Sequence, residues 1–208
     1  MIKIENYSKK IKDTVVFLEN INMVLNDGMI YGIQGENGSG KTMLMRGICG
    51  LIKGSEGSIN IDGKVIGKDI SFPEDIGVLI ENPSFIPKYT GYKNLKLVAD
   101  IQGKVDKEEI IKTLQKVGLK PDDKRTYKKY SLGMKQRLGI ACAIMGTPKL
   151  IILDEPFNGL DEKGVLQIRD VIKGLKQKNC IVIVACHDKE QLEYLSDEIY
   201  VIKEGKLQ

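Results

Sequence analysis

The chain has 208 residues, 42% of them apolar and 29% charged, with a formal net charge of +4. No stretch reaches the ~18–20 consecutive apolar residues of a membrane-spanning helix, and the start, Met1-Ile2-Lys3-Ile4-Glu5-Asn6, alternates apolar with polar residues and holds no signal-peptide core. A secreted precursor and a self-contained membrane protein are therefore not expected, and with only Arg46, Arg125, Arg137 and Arg169 among 32 basic residues no nucleic-acid face is expected either.

The first part reads as strands. Val15 to Leu25 and Met29 to Gln34 are apolar-rich runs separated by the turn Asn26-Asp27-Gly28. A helix is expected from Lys41 to Ile52, stopping at Gly54. A short strand at Ser58 to Ile61 turns at Asp62-Gly63, and another at Ile76 to Ile80 ends at Glu81-Asn82-Pro83.

The middle reads as helical. Tyr92 to Ile101 and Lys107 to Val117 have 3.6-type spacing, the second closing at Gly118. Ser131 is placed to cap a helix from about Leu132 to Met145. Strands and helices then alternate: Lys149 to Leu153, a helix from Lys163 to Lys176, Cys180 to Ala185, a short helix from Lys189 to Leu195, and Glu198 to Ile202. Continuous apolar strands alternating with helices indicate an α/β fold whose parallel sheet is covered on both faces. Four cysteines, Cys49, Cys142, Cys180 and Cys186, form no CxxC pair, and the one histidine is His187. Buried thiols are expected rather than a disulfide or zinc framework.

Gly35-Glu36-Asn37-Gly38-Ser39-Gly40-Lys41-Thr42 fits the phosphate-loop pattern Gly-x-x-x-x-Gly-Lys-Ser/Thr, between a strand and a helix as that loop requires. Its glycines let successive backbone N–H groups curl around phosphates at a helix N-terminus. Lys41 adds a point charge, and the Thr42 hydroxyl is a ligand for Mg²⁺. The buried run Leu150-Ile151-Ile152-Leu153 delivers Asp154 and Glu155 to a strand end. Asp154 is suited to the Mg²⁺ shell and Glu155 to taking a proton from an attacking water.

Tyr130-Ser131-Leu132-Gly133-Met134-Lys135-Gln136-Arg137 resembles the signature motif of ATP-binding-cassette (ABC) proteins, whose usual form is Leu-Ser-Gly-Gly-Gln. With Glu81, Asn158-Gly159-Leu160-Asp161 and His187 in the expected order, the resemblance covers nearly the whole chain. It implies a P-loop NTPase (RecA-like) core with an N-terminal antiparallel β subdomain. The chain would be a single nucleotide-binding domain over 1–208, with a helical subdomain inserted at about 84–145. It also implies ATP and Mg²⁺, the latter held by Thr42, Asp154 and Glu81, and Glu155 and His187 as the catalytic pair. Two domains would pair head to tail, as a homodimer or heterodimer. Ser131, Leu132, Gly133 and Met134 would then meet ATP from across the interface, and Asp161 would couple the two sites.

Departures from the family pattern stand at several positions. Glu81 replaces the usual Gln and adds a negative charge beside Asp154 and Glu155, which is expected to slow turnover. Leu132 replaces a glycine and Met134 the signature Gln. The aromatic that usually stacks on adenine falls at Ile11, with Tyr7 nearby but out of place. Glu81 to Pro87 and the Tyr-Ser-Leu-Gly-Met form are similar to the ATPase subunits of bacitracin-export and lantibiotic-immunity systems. The implied function is an ATPase, peripheral on the inner face of the cell membrane, that powers a separately encoded transmembrane permease. Phe85, Ile86 and Tyr89 would line the groove for a permease helix, or pack under their own loop. The basic patch Lys124, Arg125, Lys128, Lys129 and Lys135 would face lipid headgroups, the permease or solvent. Little chain follows Ile202, so no regulatory domain is expected after the cassette. The alternatives are a soluble ABC ATPase acting on nucleic acid or the ribosome, and a small-molecule kinase, which leaves Ser131 to Arg137 unexplained.

Overall fold

A computed structural model describes residues 1–11, 15–176 and 180–208. In chain order its elements are β1 (Ile2–Ile11), β2 (Val15–Leu25), β3 (Ile30–Gln34), α1 (Lys41–Ile48), β4 (Glu56–Ile61), β5 (Lys64–Val65), β6 (Ile76–Leu79), α2 (Gly91–Gln102), α3 (Lys107–Lys116), α4 (Leu132–Ile144), β7 (Leu150–Asp154), α5 (Glu162–Lys176), β8 (Ile181–Cys186), α6 (Lys189–Leu195), β9 (Glu198–Lys203) and β10 (Lys206–Leu207).

Two sheets result. The smaller is antiparallel, in the order β2-β1-β4-β5. The alternation at the chain start becomes β1, whose Ile2, Ile4 and Tyr7 are buried. Asn6 has a φ of 49° where the pairing register shifts, and this extra residue turns Tyr7 to the core in place of Asn6. The larger sheet runs β10-β9-β3-β8-β7-β6, parallel except for the β9–β10 pair.

The central strands are apolar throughout because both their faces are covered. Ile151 and Leu153 of β7 and Val182 and Val184 of β8 join a core with helices α2 to α6. Their neighbours Leu150, Ile152, Ile181 and Ile183 join a second core with α1 and the smaller sheet. The period-2 alternation of strand side chains thus sends alternate residues into two separate cores.

The parallel arrangement sets the site. Register pairs Gln34 with Cys186, Asp154 with Ala185 and Leu79 with Leu153. The C-terminal ends of β3, β8, β7 and β6 therefore share one sheet edge, ~4.8 Å apart strand to strand. The residues that follow those ends are Gly35, His187, Glu155 and, one residue further on, Glu81.

The expected helices are present with one correction. The first ends at Ile48 instead of running to Ile52. Gly50 adopts a φ of 75°, with its N–H on Gly47 O and that of Leu51 on Arg46 O. This pair of bonds is a Schellman stop, which only a left-handed residue allows, so Gly50 ends the helix ahead of Gly54. Gly118 ends α3 in the same way. Ser131 Oγ caps α4 by accepting the Met134 N–H. Burial pushes the thiols of Cys49 and Cys186 up to about 12 and that of Cys142 to about 11. No described helix is long and apolar enough to cross a membrane.

Candidate active site

The loop between β3 and α1 holds Gly35 to Gly40. Gly38 and Gly40 have φ values of 81° and 111°, in the region where a side chain is strained. A Cβ at Gly40 would also meet Phe17 O at 2.7 Å. The backbone can therefore curl tightly, and α1 begins directly behind it with its free N–H groups directed toward the loop. Lys41 is buried at the first helical position, and its ammonium donates to the carbonyls of Gly35 and Glu36 at 2.6 and 3.0 Å. Ser39 Oγ is buried with no hydrogen-bond partner among the described residues.

Beside this loop lies a cleft of about 460 Å³, within the size range of small-molecule sites. Lys41, Thr42, Glu81, Asp154 and Glu155 line it together. The Thr42 hydroxyl donates to Asp154 Oδ2 at 2.7 Å. Burial raises the Asp154 pKa above the usual carboxylate value, opposed by the Thr42 bond; the negative charges of Glu155 and Glu81 add to the rise.

Glu155 follows β7 with a left-handed φ of 47°, an uncommon conformation for a residue with a side chain. Its backbone is held on two sides: its N–H bonds Ala185 O, and its carbonyl accepts the side-chain N–H of buried Gln136 at 2.9 Å. Its Oε2 is 2.9 Å from His187 Nδ1, and its Oε1 is 4.0 Å from the Lys41 ammonium. His187 itself is exposed and lines a neighbouring cleft with Gly35 to Ser39, on the other flank of the loop.

The signature residues stand apart from both clefts. Leu132 is 63% exposed at the start of α4, an unusual place for a large apolar side chain. Gly133 packs so closely on the loop at Gly159 that a Cβ would lie 2.8 Å from its carbonyl. Asp161 in that loop is exposed, and its carboxylate accepts the Gly164 N–H at the start of α5. None of Ser131, Leu132, Gly133, Met134 and Asp161 lines either cleft, and Met134 is partly buried against the core.

Four cleft residues carry no role read from the sequence, among them Met43 on α1. Phe17 on β2 lines the cleft beside Asn37, Gly38 and Gly40. Gln136 and Arg46 complete the set, and Arg46 Nη2 lies 2.6 Å from Glu81 Oε1. The charge of Glu81 is thus met by a countercharge from α1, which its neighbours in sequence do not supply. The side chain of Ile11 lies outside the described residues.

Beyond Glu81, Phe85 is partly buried edge-on against Tyr127, with ring centroids 5.4 Å apart. Asn94 bonds the backbone of Ile86 through both ends of its amide. Ile86 and Tyr89 remain exposed. In the basic patch Arg125 is paired with Asp123, and Lys135 sits over the Tyr127 ring.

Comparison with known proteins bears directly on this geometry. A family model described as ABC transporter matches residues 18–158. Over its full 208 residues the chain is 43% identical to the uncharacterized ABC transporter ATP-binding protein YybJ of Bacillus subtilis (strain 168), covering 95% of that protein. It is 39% identical to the lantibiotic transport ATP-binding protein SrtF of Streptococcus pyogenes, again over the whole chain and over 89% of the relative. Identity is also 39% to the bacitracin transport ATP-binding protein BcrA of Enterococcus faecalis, covering 68% of it. A dimeric post-hydrolysis ATP-binding cassette bound to ADP and Pi matches all of this chain and 97% of its own, with a TM-score of 0.89 and 26% identity. By family model, full-length relatives and fold together, the chain belongs to the ABC transporter family as an ATP-binding, ATP-hydrolysing subunit.

Proposed function

We propose that two cassettes close head to tail around ATP and drive a transmembrane permease of the export or immunity type. The observation that carries this reading is the meeting of the phosphate loop, Glu155, His187 and Glu81 at one sheet edge, while Ser131 to Met134 line neither cleft there. A site in two halves is completed by a second subunit, identical or related. In closure the N-terminus of α4 brings Ser131 and its dipole to the γ-phosphate of the other subunit's ATP, and Asp161 crosses the same interface. The chain acts as one nucleotide-binding domain with the helical portion at 84–145 inserted.

The residues around the cleft suit a hydrated Mg²⁺ with its nucleotide. Thr42, Asp154 and Glu81 offer hard oxygen donors, and the orphaned Ser39 hydroxyl and the glycine cradle suit phosphate oxygens. Bound there, Mg²⁺ would neutralise charge on the phosphates during transfer. Lys41 exchanges its two loop carbonyls for phosphate oxygens. Glu155 accepts the proton of the attacking water, while His187 orients that carboxylate and the γ-phosphate. Phe17 supplies the aromatic surface for the base.

The relatives named for lantibiotic and bacitracin transport support a permease handling peptide antibiotics, over a partner that is nucleic acid or the ribosome. The cassette then works at the cytoplasmic face of the membrane, with Ile86 and Tyr89 exposed for contact with the permease. The test is to mix the purified chain with Mg²⁺ and ATP and follow its mass and turnover. Ser131→Ala is expected to lower turnover and dimer formation with little loss of ATP affinity in the monomer. Unchanged kinetics in that variant would argue against a composite site. Co-purification with ribosomes and never with a polytopic membrane protein would remove the transport reading.

A further inference from the structure

Arg46 and Glu81 come from distant parts of the chain and meet at the cleft. Arg46 is the fourth residue after Thr42 on α1, so both present to the same helix face. Glu81 lies two residues past β6, in a left-handed turn with a φ of 58°. The guanidinium and carboxylate are 2.6 Å apart, with Arg46 36% and Glu81 60% exposed. An ion pair so open to solvent is weak, and both partners line the cleft that also holds Thr42 and Asp154. The Glu81 carboxylate therefore borders two sets of groups in one cleft: the arginine, and the oxygen donors of Thr42 and Asp154.

We propose that Arg46 is a positioning residue that holds Glu81 in the nucleotide-free cassette and competes for it with the divalent cation of the incoming nucleotide. This inference rests on the reading of Thr42, Asp154 and Glu81 as the magnesium side of the site. An arginine that merely offsets the charge of Glu81 would always help; one that competes for it opposes metal binding until it lets go. The weakness of an exposed pair is what allows the exchange. Replacing a neutral amide by a carboxylate at position 81 makes this competition possible, because a glutamine would have no charge for Arg46 to hold.

The test is an equilibrium titration of Mg²⁺ at fixed concentration of a fluorescent, non-hydrolysable ATP analogue, reading the half-saturating Mg²⁺ without reference to turnover. Arg46→Gln is expected to lower that value about 2- to 5-fold in the chain with Glu81, and distinctly less in the Glu81→Gln background. Arg46→Lys is expected to retain most of the original behaviour, which a loss of fold would not. An equal shift in both backgrounds would mean that Arg46 acts on the metal through space and does not hold Glu81, and the inference fails. No shift in either background also overturns it. If Glu81→Gln alone leaves the half-saturating Mg²⁺ unchanged, the underlying placement of Glu81 at the metal fails instead. Thermal melts of each variant establish that the fold is intact.

Discussion

The imidazole Nδ1 of His187 lies 2.9 Å from Glu155 Oε2, while the other oxygen of that carboxylate is 4.0 Å from the ammonium of Lys41. One carboxylate is thus held between a ring from the end of β8 and a cation from the start of α1. Its position is set by two elements, neither of them adjacent to it in sequence.

Glu155→Gln keeps the shape of this group and removes its basicity. We expect ATP to bind with little change, turnover to fall at least about 100-fold, and an ATP-stabilised dimer to elute from a sizing column. Undiminished hydrolysis would remove Glu155 from the role of base.

Phe17→Ala tests the aromatic in the cleft. Stacking of a base on an aromatic ring is worth about 1–3 kcal/mol, so ATP affinity is expected to fall about 5- to 150-fold. Phe17→Tyr should preserve it. Equilibrium titration with a fluorescent nucleotide reads both, and an unaffected affinity in Phe17→Ala would place the base elsewhere.

The way these residues come together explains which parts of the site were legible in the sequence. The phosphate loop is a local motif, and Asp154 and Glu155 end an apolar run whose burial is written in consecutive residues. Strand positions follow from the same runs, since Leu150 to Leu153 and Ile181 to Cys186 are apolar at every position. Phe17, Arg46 and Gln136 carry no local signal. Phe17 reaches the cleft from β2 of the smaller sheet, Arg46 from one turn along α1 and Gln136 from α4, so their meeting depends on how the two sheets and the helices pack. The early stop of α1 has a local cause, yet the apolar Leu51-Ile52 after Gly50 continues a helical pattern and conceals it.

Gln136 ties the signature helix to the catalytic strand. It is buried, and its side-chain N–H donates to the carbonyl of Glu155 at 2.9 Å. Gln136→Ala should cost about 1–3 kcal/mol of stability by leaving a half-buried carbonyl unpaired. It should also lower kcat with little effect on the KM for ATP, because the strained backbone at Glu155 loses one of its two anchors. Gln136→Glu sets an acceptor against an acceptor and should be worse. Urea denaturation and steady-state kinetics check the pair; a normal kcat in a destabilised Gln136→Ala protein would limit the bond to a structural part.

Asp197 provides the pH test. Its Oδ2 accepts the Ile30 N–H at 2.9 Å, its own N–H donates to Ile30 O at 2.8 Å, and Lys176 pairs with Oδ1. Burial alone would raise its pKa, but the bonds from Ile30 and Lys176 outweigh it and hold the carboxyl below its ordinary value of 3.8. A carboxylate whose pKa is lowered by folding adds stability that is fully present above the unfolded value and lost as pH falls through the folded one. Asp197→Ala should therefore cost about 1–3 kcal/mol at neutral pH, and the cost should hold steady down to about pH 5. Below 3.8 the difference between the two proteins should shrink, as protonation removes from the parent what the substitution removed from the variant. Urea denaturation at a series of pH values measures it. A difference that stays constant through the acid range would mean that the residue acts at the start of β9 by packing and not by its charge.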